Sequence, residues 1–173
     1  LEKTVDNAIN PKDLRHAQQL VSNIISQIET RADQKTHYLD LYRQGVLVAS
    51  WLEAKPEKAV SLAEQAQSLS PYAYQKAETA AYLAFAQYRN QNYEAVLKAT
   101  REAQKNLVKT TGRTERGDLG LQAWLLWLEQ NALIHEGDIK AAVKSLKGSL
   151  IKELEPYHLV LLRGLGEAAE EVL

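Results

Sequence analysis

An all-α fold of about eight helices is what this sequence predicts, on three observations. Apolar residues recur at spacings of three and four along almost the whole chain. Alanine (23) and leucine (26) make up 49 of the 173 residues, while glycine and proline together contribute only 12, a mixture of high helical propensity. No segment alternates apolar and polar positions with β-branched residues, so no sheet is expected.

Asn10-Pro11 opens the first helix, with asparagine as the cap and proline in a first turn where its missing N–H costs nothing. Leu14, Ala17, Val21, Ile24, Ile25 and Ile28 give that helix, over 11–33, one apolar stripe. Further helices are expected near 37–54, 57–69, 72–90, 92–109, 118–136, 138–150 and 156–172. The punctuation between them is Pro56, Ser70-Pro71, Asn90-Gln91-Asn92, Gly137-Asp138 and Pro156. Most links are two to four residues long, which forces neighbouring helices antiparallel. The exception is TTGRTERGD, 110–118, expected as an exposed loop.

Composition excludes several functional classes. A formal charge of -1 gives no global attraction to nucleic acid or an anionic membrane. Without cysteine there is no disulfide, thiolate metal site or thiol nucleophile, and the chain suits cytoplasm or periplasm alike. Methionine is absent too, so Leu1 reads as the start of a processed product or an excised fragment. The longest apolar runs, such as Ala123 to Leu128, are far too short to span a bilayer, and no membrane insertion is expected.

No catalytic motif stands out: the chain has no His-Glu-x-x-His, glycine-rich phosphate loop or Gly-x-Ser-x-Gly. No enzyme, cofactor or metal site is expected. His135, Glu136 and Asp138 form the one cluster of ligand-type side chains. At a turn between helices, Asp138 serves more simply as an N-cap and His135 as a favourable charge at a helix C-terminus. Lys98, Arg101, Lys105 and Lys109 share one helix face, followed by Arg113 and Arg116. Six basic residues face four acidic ones across 92–118, and Glu94 precedes Lys98 by one turn. The strip therefore reads as a solvated outer face rather than a nucleic-acid site.

Two prolines bracket WLEAKPEKAVSLAEQAQSLSPYAY, 51–74, and within it Ala59, Ala63 and Ala66 fall on one helix face. Leu83, Ala84, Tyr93, Val96 and Ala103 occupy corresponding places in 81–103, as do Gly137, Asp138, Ile139 and Ala142 in 124–146. The pattern resembles the tetratricopeptide repeat, a helix-turn-helix unit with small residues at its helix crossing and a proline at its end. The resemblance implies a right-handed α-solenoid of antiparallel helix pairs in a single domain, 1–173. Three units would occupy 38–150, between a flanking helix in 11–36 and a capping helix in 156–173. It departs from the family in lacking the full Trp-x-x-Leu-Gly-x-x-Tyr opening and in carrying the 110–118 insertion.

In such a solenoid the first helix of each unit lines a concave groove. That places Gln44, Val48 and Trp51, then Phe85, Tyr88 and Arg89, then Trp124, Trp127 and Asn131 toward a ligand. The helix carrying Trp124 and Trp127 is apolar nearly all round from Leu119 to Leu128, so it must be covered on more than one side. The expected function is binding a peptide, a helix or a partner subunit in this groove. Leu159, Leu162, Leu165 and Ala169 offer the last helix a stripe for capping or self-association. The alternative is a ligand-sensing regulatory segment of a larger protein, similar to the helical-repeat segments of bacterial signal-dependent transcription activators.

Overall fold

The computed structural model of the chain describes residues 11–30, 38–108 and 116–148. These residues form seven helices and no strand: α1 (Pro11–Thr30), α2 (Leu39–Leu52), α3 (Pro56–Ser68), α4 (Ala73–Arg89), α5 (Tyr93–Val108), α6 (Arg116–His135) and α7 (Ile139–Gly148). The helix expected over 156–172 lies outside the described residues. Helix α6 begins at Arg116, so the last three residues of the expected 110–118 loop are helical. An acidic residue such as Asp118 suits a helix's first turn as well as it suits a loop. Contacts gather the chain into two compact units, Leu1–Leu69 with α1–α3 and Ser70–Leu173 with α4–α7.

In the first unit α1 packs on α2 and α2 on α3. Ala59, Ala63 and Ala66 of α3 are fully buried, as are Val46 and Leu47 of α2. Gly45 marks a close approach of α1 to α2, since a Cβ there would meet Ile25 Cγ1 at 3.3 Å. Of the α1 stripe, Ile28 is buried and Ile25 half-buried, but Ile24 is 40% exposed. Among the described helices α1 packs on α2 alone, and one neighbour needs only a narrow apolar face. A polar node ties the three helices together. The buried Tyr42 hydroxyl donates to Glu29 Oε1 of α1 at 2.8 Å and accepts from Gln65 Nε2 of α3 at 3.0 Å. Gln18 Nε2 also reaches the free carbonyl of Leu52 at the end of α2, at 2.7 Å.

In the second unit α4 packs on α5, α5 on α6 and α6 on α7, and α4 also touches α6. Ala77, Ala80, Ala81 and Ala84 form a fully buried stripe along α4. The first three join Ala103, Leu107 and Leu125 in one core cluster, while Ala84 joins Val96, Ala99, Leu128 and Ala132 in a second. Helix α6 is covered by α4, α5 and α7, as its near-uniform apolar surface requires.

The two helix pairs of this unit turn in the same way. At the end of α4, Gln91 takes a left-handed φ of 57°, Asn92 N–H reaches Gln87 O and Gln91 N–H reaches Tyr88 O. At the end of α6, Gly137 takes a φ of 80°, Asp138 N–H reaches Leu133 O and Gly137 N–H reaches Ile134 O. Both are Schellman caps. The next residue then caps the following helix: Asn92 Oδ1 accepts from Ala95 N–H at 3.2 Å and Asp138 Oδ1 from Ala141 N–H at 2.9 Å. The capping role expected of Asp138 is thus observed.

These contacts and caps lead to three stability predictions. Ala63→Leu or Ala66→Leu should each destabilise the first unit by about 1–3 kcal/mol in urea unfolding, because overpacking a close crossing forces backbones apart. Equal midpoints for parent and variants would show that the crossing tolerates bulk. Gln91→Gly should stabilise by about 1 kcal/mol, relieving a left-handed residue with a Cβ. Gly137→Ala should cost a similar amount purely through its backbone, since a Cβ there meets nothing within 4 Å.

Candidate interaction surface

Half-buried aromatic rings line the side where α4 and α6 meet. They arise from sequence spacing: Tyr82, Phe85 and Tyr88–Arg89 recur at three and four on α4, and Trp124, Trp127 and Asn131 do so on α6. The alanine stripe on α4 brings the two helices close, so the larger side chains interlock along the edge of the crossing. Trp124 meets Tyr82 edge-on at 5.1 Å between centroids and Phe85 at 5.7 Å. Trp127 meets Tyr88 edge-on at 5.4 Å. The Arg89 guanidinium lies 5.9 Å from the Phe85 ring centroid, a cation–π distance.

The ladder continues past the expected residues. Tyr93, at the start of α5, stacks on His135 with centroids 4.4 Å apart and planes 1° from parallel, and Tyr88 contacts both rings edge-on. Burial is the larger cause, and the Glu78 carboxylate one turn earlier the smaller, of a phenol pKa at Tyr82 raised above its ordinary value.

Phe85, Tyr88, Arg89, Trp124 and Trp127 are therefore brought together. Asn131 stands on the same helix, but its Nδ2 donates to the Trp127 carbonyl at 2.8 Å, which commits that donor to its own backbone. Gln44 and Val48 are half-buried on α2, and Trp51, 48% exposed, sits in its last turn. These three belong to the first unit. Sequence reasoning left Tyr82, Tyr93 and His135 out of the surface. Tyr82 carried a usable signal, one turn before Phe85; the stacking of Tyr93 on His135 joins residues 42 apart and had none.

The first unit has its own cleft, of about 530 Å³, between α1, the end of α2 and α3. Glu29, Glu53, Lys58, Gln18, Ile25 and Leu62 are among its walls. Lys58 Nζ sits 2.9 Å from Glu53 Oε2. That hydrogen bond is the main cause of a Glu53 pKa below the ordinary carboxyl value. Among the described residues no group of His, Asp and Glu side chains is placed to hold a metal ion, and no helix is long and apolar enough to cross a membrane. No protein-family model, curated protein or solved structure matches the chain.

The node beneath this cleft predicts a pH effect. Burial first, then the Glu29 carboxylate that Tyr42 bonds, raise the Tyr42 phenol above its ordinary value of 10.0. In the unfolded chain the phenol ionises near pH 10, whereas the folded one stays protonated to higher pH. The stabilisation it provides is thus complete below about pH 10 and lost as pH rises through the folded value. Tyr42→Phe should cost about 1 kcal/mol at neutral pH, because Glu29 and Gln65 are solvent-exposed and re-hydrate. It should also flatten the alkaline limb of a stability-versus-pH curve; an unchanged limb would place that titration elsewhere.

Proposed function

We propose that the chain is a non-enzymatic protein-interaction module, a tetratricopeptide-like solenoid that takes a peptide or helix against the aromatic side of α4 and α6. The observation that carries this reading is the ring ladder itself. Tyr82, Phe85, Tyr88, Trp124 and Trp127 are half-buried rather than enclosed, and Arg89 is held over Phe85. Large rings fixed by their neighbours lose little entropy when a ligand covers them, and interface energy concentrates in tryptophan, tyrosine and arginine.

Two further features support the repeat. Both helix pairs of the second unit close through the same left-handed cap followed by the same Asx cap, and the first helices of the two pairs touch. Equivalent caps at Asn92 and Asp138 stand 46 residues apart, longer than the roughly 34 of a tetratricopeptide unit.

The second reading, a ligand-sensing segment, draws on the cleft of the first unit. Its size suits a small molecule. Its walls set carboxylates, an ammonium, serines and an amide beside Ile25, Ala49, Leu52, Ala54 and Leu62, so more charged groups converge there than the few polar groups usual in small-molecule pockets.

Selection of a displayed peptide library against the intact chain tests the first reading. Selected peptides should lose roughly 2 kcal/mol of affinity on Arg89→Ala or Tyr88→Leu, with helical signal and melting curve retained. Lys98→Glu with Lys105→Glu should change their affinity little at physiological salt. Peptides indifferent to Arg89 and Tyr88 would overturn the aromatic surface as the binding site.

A further inference from the structure

The basic strip of α5 does not stand alone. Lys76, from the first turn of α4, joins Lys98, Arg101 and Lys105 around a cleft of about 450 Å³ completed by Glu102 and Asn106. Four cations from two helices thus face one space with a single carboxylate. None of the four has an ion-pair partner among the described residues, and Glu94 does not pair with Lys98. Like charges gathered without counter-charges repel one another, and an anionic ligand relieves that cost.

Asn106 indicates which kind of anion. Its side chain is 93% buried (7% exposed), and its Nδ2 donates to the Glu102 carbonyl at 3.0 Å, which leaves Oδ1 as an acceptor at the cleft wall. A peptide backbone supplies an N–H for such an acceptor, whereas the deoxyribose-phosphate backbone of DNA has no donor. The space also spans only about 10 Å along α5 from Lys98 to Lys105 at 1.5 Å per residue, enough for a few residues of chain. No aromatic ring is in its wall to stack a base.

We propose that this cleft binds a short acidic segment of a partner protein, with carboxylates on Lys76, Lys98, Arg101 and Lys105 and a backbone N–H on Asn106 Oδ1. Arg101 can hold a carboxylate with two parallel hydrogen bonds, and the lysines act as point charges around it. This site is made of different side chains from the ring ladder and does not depend on that reading.

The test uses fluorescence anisotropy of a labelled oligo-glutamate peptide with the full chain at low salt. Saturable binding is expected, weakened roughly tenfold or more by Lys98→Ala with Arg101→Ala, since each lost exposed pair removes up to about a kcal/mol. Lys76→Ala should weaken it by roughly threefold, and Glu102→Gln should tighten it. Lys140→Ala with Lys144→Ala removes the same charge from α7 and should leave it unchanged. All these side chains are exposed or half-buried, and circular dichroism verifies that each variant remains helical. Absence of saturable binding, or equal loss in the α7 control, would overturn the proposal. So would tighter binding of a single-stranded oligonucleotide of equal charge, which would make the cleft a phosphate-backbone site.

Discussion

Close packing across alanine is the constraint from which the rest of each unit follows. Where a helix presents Ala59, Ala63 and Ala66, or Ala77, Ala80, Ala81 and Ala84, its axis can approach a neighbour more nearly than leucine would allow. Two consequences are visible. Bulky side chains have no room at the centre of the crossing and collect at its edges, which is how Tyr82, Phe85, Tyr88, Trp124 and Trp127 come to form a surface instead of a core. The tight approach also demands short turns, and the left-handed caps at Gln91 and Gly137 provide them.

The core and the exposed surface features therefore draw on different parts of the same helices. Helix α4 places its alanines inward, its rings toward α6, and Lys76 beside α5. One helix thus contributes to a core, an aromatic surface and a charged cleft through positions that are simply rotated about its axis. Gln130 of α6 is a cost within this scheme: it is buried, and neither amide atom finds a partner. An unpaired amide of this kind typically costs about 1–3 kcal/mol, which the leucines beside it must offset.

Much of this was legible from the residues. Period three-and-four spacing located the helices, and Pro56, Gly137 and Asp138 marked their ends, because caps and breakers act within a few residues of themselves. The same locality placed Phe85, Tyr88, Trp124 and Trp127 on shared faces. Spacing could not say which faces of two helices meet. Thus Ile24 belonged to the apolar stripe by pattern yet is exposed, and Lys76 gave no sign of joining a strip more than twenty residues later. Contacts such as Tyr42 with Glu29 and Gln65 depend on three helices at once and leave no local trace.

The order of contacts along the chain has a kinetic consequence. In each unit a helix packs mainly on the helix before and after it, with α4 on α6 the longest step among the described pairs. Each new contact then closes only a short loop, and loop-closure entropy grows slowly with length. Such local topologies fold quickly, typically in microseconds to milliseconds, and need no distant nucleus. The α4–α5 hairpin, with its cap at Gln91–Asn92 and its shared alanine core, can form before α6 arrives and then serve as the template on which the later helix condenses.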